Sequence, residues 1–287
     1  MGNLSRKLHQ RLARTSKNLP TKEPKRRPGE PLPGDIIDVP TLIKDGFDPI
    51  HAAYAFMQQM SSHFAEGVSQ MPEMKAYYKA AAAAEDTYMP AGPPISPLTA
   101  SFFTTWAFYD LRIGNDGDTI GDCQIELNDI IWLNSDQLDA LTKLNASRMG
   151  IYEHVGFDGP HVRLCELITN QEFTCHNPSG YRGTSGELWY VRLVPPLLPE
   201  IANYHIVFTT PYILIQSSKN DWTQFLMRSL VRIKADDERA ALHQLLKYGF
   251  DRNYWNEFVF LAYHHHQSGA IFLAGIPDLK STLPHAE

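Results

Sequence analysis

The chain has 287 residues, of which 43% are hydrophobic and 20% are charged, and its formal net charge is −6. These proportions are those of an ordinary globular protein, so they exclude wholesale disorder, collagen-like sequence and simple repeat arrays. No apolar run reaches the roughly 18 residues of a membrane span. The three cysteines are too few for a disulfide framework, which favours a cytoplasmic location.

Residues 1–34 form a basic segment. They hold nine basic and two acidic side chains, a net charge of +7, which leaves −13 for the rest of the chain. Five prolines and few large apolar residues predict a disordered arm, although Leu4, Leu8 and Leu12 recur every four residues and would suit a short helix over residues 3–16. The absence of acids before residue 20 is also typical of a mitochondrial transit peptide. A basic arm on an acidic body predicts contact with a polyanion or a protein partner, and the alternative is a solvated tail that keeps the protein soluble.

Residues 35–150 are predicted to be helical. N-cap residues or prolines mark four helix starts, at Asp48-Pro49, Pro72, Ser96-Pro97 and Ser135. The last of these helices should run to Met149, with Gly150 as its C′ residue. The segment Asn115–Asp118 resembles the beginning of a calcium loop. Its later ligand positions hold Ile120 and Leu127, so it is interpreted as a turn.

The pattern changes to short apolar runs in residues 151–216. The runs are Ile151–Phe157, Val162–Ile168, Glu172–Cys175, Leu188–Val194 and His205–Ile215. Gly, Pro and Asn separate them, as in a small antiparallel β-barrel-like unit. Helices return in residues 217–287, beginning at Asp221, Asp236 and Asn253, and the last extends to His266. We therefore predict an α+β fold in which helical N-terminal and C-terminal parts surround the β unit, with residues 35–287 as one globular body.

Two of the predicted strands should form a hairpin that contains two cysteines. A three-residue loop, Thr169–Gln171, would place Cys165 opposite Cys175 on one face, whereas a two-residue loop would place Cys165 opposite His176. We prefer the first register, with both thiols buried and reduced.

Five potential metal ligands lie within residues 154–176, namely His154, His161, Cys165, Cys175 and His176. None of them has the C-x2–4-C spacing of a structural zinc site. We therefore predict no metal ion and no cofactor. If zinc were bound nevertheless, its ligands would be drawn from these five residues.

No nucleophile elbow, phosphate-binding loop or zinc-protease motif occurs in the chain. Arg148 and His154, with Glu153 nearby, are candidates for an acid/base pair acting on RNA. His264 and His265 are further catalytic candidates. Together with His266 they cannot share one metal ion on a regular helix, because consecutive residues point about 100° apart.

The best surface-site candidate is the loop Asn177–Gly186. Its three glycines permit unusual backbone angles, and Tyr181 and Arg182 present an aromatic ring and a guanidinium group. Trp255 and Asn256 are a second binding candidate, and ordinary core packing is the alternative for them.

These features predict a non-catalytic binding or scaffold protein that uses the β-unit loop and the basic arm. One alternative is a hydrolase whose His, Glu and Arg side chains are dispersed along the chain, because such sites leave no local motif. The other alternative is a nucleic-acid-associated protein that contacts phosphates through the arm.

Overall fold

The computed structural model describes residues 2–16, 39–91, 96–131, 133, 135–197, 199 and 202–284. The helices are α1 (Asn3–Ser16), α2 (Val39–Lys44), α3 (Pro49–Val68), α4 (Lys75–Tyr88), α5 (Ala100–Tyr109), α6 (Ile120–Glu126), α7 (Asn128–Ile131), α8 (Ser135–Ala146), α9 (Lys219–Leu230), α10 (Glu238–Tyr248) and α11 (Tyr254–Leu261). The strands are β1 (Arg148–Asp158), β2 (His161–Glu166), β3 (Glu172–His176), β4 (Leu188–Val194), β5 (His205–Val207), β6 (Tyr212–Ile215), β7 (Tyr263–Gln267) and β8 (Ala270–Ala274). The predicted α+β class is confirmed.

Five strands close into a barrel in the order β1-β2-β3-β5-β4, with β4 pairing back to β1. Only the β3–β5 pair of this barrel is parallel. Strand β4 also pairs with β6, from which β8 and β7 continue the sheet. Because side chains alternate along a strand, Tyr152, Leu164 and Trp189 fill the barrel interior, while Met149 and Ile151 belong to the core outside it.

Helices from both halves of the chain pack on the outer face of the barrel. The ring of Tyr190 on β4 lies 5.1 Å from that of Trp255 on α11 and 6.5 Å from that of Phe102 on α5, measured between centroids. All three residues belong to one buried cluster. The helical parts therefore share a core with the β unit, and no helix among the described residues is long and apolar enough to cross a membrane.

The end of α8 differs from the prediction. The helix stops at Ala146, and Gly150 lies inside β1 instead of serving as a helix C′ residue. The structure gives another reason for this glycine. A Cβ atom at position 150 would lie 2.4 Å from the Tyr152 hydroxyl, so the ring of Tyr152 occupies the space above it.

The last predicted helix, from Asn253 to His266, is also wrong in its second half. Helix α11 ends at Leu261, and residues 263–267 form strand β7. The turn between β7 and β8 contains Gly269, whose φ is 79°. Strand β8 then pairs in parallel with β6, and this long-range pairing competes successfully with the local helical pattern. The predicted run His205–Ile215 is likewise divided into β5 and β6.

Two predicted N-caps are displaced by three residues. Helix α5 is capped by Thr99 instead of Ser96, and the Thr99 side chain accepts a hydrogen bond from the Phe102 amide at 3.2 Å. Helix α9 is capped by Ser218, and Asp221, the predicted cap, bonds back to the Ser218 amide at 2.8 Å. This reciprocal arrangement is a capping box. The predicted cap of α3 by Asp48 is confirmed.

Both predicted registers of the cysteine hairpin are wrong. Cys165 lies opposite Glu172, and Cys175 lies opposite Val162. The turn is longer than the loop in either predicted register. It is closed by a hydrogen bond from the Glu166 amide to the Gln171 carbonyl at 2.9 Å. Cys175 points into the barrel and Cys165 points to the other face, so the two thiols cannot pair.

The prediction of a disordered arm is wrong for residues 3–16, which form α1 with Leu8 fully buried. The amides of Asn3 and Leu4 donate to Asp116 and Asp118 at 2.8 and 3.0 Å. The Asn115–Asp118 turn therefore caps α1 with its carboxylates, which satisfies amides that no residue of the helix itself can bond. Residues 17–34 lie outside the described residues.

Candidate functional site

A cleft of about 340 Å³ opens at one mouth of the barrel. We call it the mouth cleft. The barrel contributes Arg148, Tyr152, Glu166, Phe173 and His205, and helices α8 and α10 contribute Ala146, Arg239 and His243 among others. A barrel mouth closed on one side by helices is a common position for a ligand site, because it is concave and partly desolvated.

Arg148 and Glu166 form the polar centre of the mouth cleft. Nη2 of Arg148 lies 2.7 Å from Oε1 of Glu166, and Oε2 of Glu166 accepts the Thr169 hydroxyl at 2.7 Å. Nη1 of Arg148 donates to the Met149 carbonyl at 3.1 Å. Of the five N–H donors of a guanidinium, these bonds use two. The arginine is held in place and retains donors for a ligand.

A buried charge cluster fixes the connection from α8 to β1, just before Arg148. The carboxylate of Asp110 pairs with the guanidinium of Arg192 and, at 3.1 Å, with Nζ of Lys247. Both cations also donate to the Ser147 carbonyl, at 2.9 and 3.1 Å. Burial lowers the pKa of Lys247 to about 8. Two cations on one carbonyl hold residue 147, and through it the start of β1.

Cations and neutral imidazoles surround the mouth cleft. Among the described residues, its lining includes Lys143, Arg148 and Arg239 but a single carboxylate, Glu166. Burial, reinforced by the charges of Lys247 and Arg148, lowers the pKa of His243 to about 4. Burial also lowers the pKa of His205. Both imidazoles are therefore uncharged at neutral pH. Lys143 is paired with Asp139 at 2.7 Å and Arg148 with Glu166, so Arg239 carries the positive charge that no carboxylate among the described residues balances.

The structure separates the residues of the predicted acid/base set. Arg148 lies in the mouth cleft, whereas Glu153 points away from it and pairs with Lys219. His154 is fully buried beside Trp189 at the opposite end of the barrel. One ring nitrogen of His154 meets the Arg182 carbonyl at 3.1 Å, and the other accepts the Gly156 amide at 3.2 Å. With both nitrogens engaged, His154 has a structural role.

The loop Asn177–Gly186 closes that opposite end of the barrel. The Tyr181 hydroxyl donates to Glu187 at 3.1 Å, and its ring lies 5.5 Å from that of Trp189. The guanidinium of Arg182 lies 4.5 Å from the centroid of the Phe157 ring. Tyr181 is therefore committed to internal contacts, while Arg182 lies exposed beside Phe157.

The remaining predicted site residues are in other places. His264 and His265 lie on the exposed strand β7, where His265 stacks on Phe272 with centroids 4.4 Å apart. Trp255 is buried and donates to the Leu245 carbonyl at 2.9 Å, and Asn256 has no exposed surface. The structure brings neither pair to the mouth cleft.

Sequence reasoning missed most residues of the mouth cleft, including Glu166, His205, Arg239 and His243. Arg239 and His243 are four residues apart, a spacing that places two side chains on one helix face, but nothing local connects them to β1. No family model, curated protein or solved structure matches the chain. Its function is therefore argued from geometry and chemistry alone.

Proposed function

We propose that the protein is a non-catalytic binding protein that holds a small anionic molecule in the mouth cleft. The observation that carries this proposal is the positioned, half-buried Arg148, one of three cations that line the cleft beside one carboxylate in the described part of the chain. The anion would bear a carboxylate or a phosphate group, because the planar guanidinium binds both through paired hydrogen bonds.

The surroundings of Arg148 support binding of an organic anion. Tyr152 and Phe173 line the same cleft and offer apolar surface to the body of a ligand. Thr169 and Gln171 add hydrogen-bonding groups at the barrel rim. A few polar groups among apolar walls are typical of small-molecule sites.

The neutral imidazoles favour binding over acid/base chemistry. His243 has a pKa of about 4, which makes it a weak proton acceptor at neutral pH, whereas an efficient general base has a pKa near the working pH. The hydroxyl of Ser147, at the cleft wall, donates to the Leu144 carbonyl at 2.5 Å. The binding role expected from the sequence is thus assigned to the mouth cleft instead of the 177–186 loop. A polyanion contact by the basic arm stays a prediction.

The proposal can be tested by isothermal titration of the full chain with inorganic phosphate, citrate and adenosine monophosphate. We expect at least one of these anions to bind. Ala146→Trp should abolish binding, because position 146 is exposed and lines the cleft, so the indole fills the cleft without disturbing the core. Arg239→Gln should weaken binding by roughly fivefold, the effect of one partly solvated charge.

Arg252→Gln is the matched control, because Arg252 is exposed and does not line the cleft. It should leave the affinity unchanged. The proposal is wrong if none of the three anions binds, or if Ala146→Trp retains the affinity of the unmodified chain.

A further inference from the structure

Three potential metal ligands from distant parts of the chain meet beside the barrel. One ligand atom each of Asp48, His51 and His176 lies within 4.8 Å of the other two. In contrast to the prediction of no metal ion from the sequence, we infer that these residues form a binding site for one divalent transition metal ion, with zinc as the best match. None of the three lines the mouth cleft, so this inference is independent of the proposed function.

The fold brings the ligands together through one helix end and one strand. Asp48 is the N-cap of α3, and His51 lies in the first turn of that helix. Cys175 of β3 points into the barrel, so its neighbour His176 points outward. The side chains of β3 and the start of α3 therefore converge from opposite sides on one point.

Asp48 can serve the helix and a metal at the same time. Its Oδ1 atom accepts the amides of Ile50 and His51, at 2.9 and 3.2 Å. Among the described residues, Oδ2 accepts no hydrogen bond. One oxygen thus caps the helix, while the other is available as a ligand.

The two imidazoles have the separation that a shared metal requires. The ring centroids of His51 and His176 are 5.5 Å apart. Two imidazoles on one tetrahedral zinc, with Zn–N bonds near 2.1 Å, have centroids about 5 Å apart. In addition, Nε2 of His176 is buried and has no hydrogen-bond partner in the described part of the chain. A buried nitrogen without a partner is costly, and a metal ion would satisfy it.

A fourth ligand position is also accessible. The ring of His161 on β2 lies 6.3 Å from that of His176, and it is tilted against the Tyr204 ring with centroids 3.9 Å apart. A water molecule can complete a tetrahedral site, and His161 would have to leave its contact with Tyr204 to do so. Imidazole nitrogens with one carboxylate oxygen are typical ligands for zinc, iron, nickel and copper, and zinc imposes the least geometric demand.

The test is titration of the full chain with Zn²⁺ by calorimetry and with Co²⁺ by visible absorption. We expect one Zn²⁺ per chain and the strong d–d bands of tetrahedral cobalt. His51→Ala and His176→Ala should each weaken binding by roughly tenfold or more. Asp48→Asn is the sharpest variant, since asparagine caps helices as well as aspartate does. It should weaken metal binding without changing the thermal midpoint of the metal-free protein.

Two controls separate this site from other histidines. His63→Ala, further along α3, should leave binding unchanged. Replacing His264, His265 and His266 with glutamine should also leave the zinc stoichiometry at one. The inference is wrong if zinc does not bind, if the His51, His176 and Asp48 variants bind it normally, or if only the β7 variant loses it.

Discussion

Gly150 shows how one missing side chain shapes the barrel interior. An added Cβ would meet the Tyr152 hydroxyl at 2.4 Å, and the Tyr152 side chain is buried. We expect Gly150→Ala to lower the free energy of unfolding by about 1–3 kcal/mol, the usual cost of overpacking, as measured by urea denaturation. Gly67→Ala is the opposite control, because position 67 is helical and has no atom within 4 Å. There the stability should rise by up to about 1 kcal/mol. Losses of equal size at both positions would show that Tyr152 is not the cause.

The candidate residues Arg148 and His154 show why a site is hard to predict when its residues lie on one strand. Arg148 and His154 are six residues apart on β1 and share a face up to the bulge that follows His154. Six residues of strand span about 20 Å, so the two side chains lie at opposite ends of the barrel. Closeness in sequence therefore predicted a pair that the extended backbone separates. Glu166 and His243, which do lie near Arg148, come from other elements, and only the closed barrel brings them there.

At the scale of elements, the capping box of α9 offers a direct test. The Ser218 hydroxyl accepts a hydrogen bond from the Asp221 amide at 3.2 Å, and the Asp221 carboxylate accepts one from the Ser218 amide. Ser218→Ala should lower the free energy of unfolding by about 1 kcal/mol, because an amide of the first turn loses its acceptor. Ser217→Ala, one residue earlier, should change it by a few tenths of a kcal/mol at most, in line with an ordinary surface change. The reverse order of the two effects would show that Ser218 does not cap α9.

Elements whose start and apolar pattern lie in nearby residues could be predicted from the sequence. Elements that depend on pairing with distant strands could not. Helix α3 has its cap and apolar stripe in the sequence, and four of the five predicted strands match β1–β4 closely. Strand β7 has no such local pattern, because its histidines are exposed and its register comes from β8. The signal that was available is Ser268-Gly269, a dipeptide typical of turns. The same dipeptide also suits the end of a helix.

For the molecule as a whole, buried imidazoles predict acid sensitivity. Desolvation lowers the pKa of His154, His205 and His243, the last to about 4. The unfolded chain, with histidine pKa near 6.5, then binds more protons, so stability is lost as the pH falls below about 6.5. The pKa of His243 is lowered further by the positive charges of Lys247, Arg148 and Arg192. The negative charge of Asp110 raises it.

We expect the free energy of unfolding, measured in urea, to be constant from pH 8 to 7 as far as these histidines are concerned, and to fall between pH 6.5 and 5. His243 alone should contribute about 1 kcal/mol by pH 5, after allowance for solvent screening. His243→Gln should make this decline shallower. A decline that begins only below pH 4.5 would instead point to carboxylates.

The central position of strand β4 determines how the molecule unfolds. It pairs with β1, β5 and β6, and all seven of its residues are buried. The barrel and the outer strands thus have one strand in common, and helices α5 and α11 pack on its Tyr190. Separating either sheet region from β4 would expose residues of β4 that are buried in the folded chain. Local fluctuations should therefore be confined to peripheral elements such as β7, while the strands around β4 separate together in one global unfolding event.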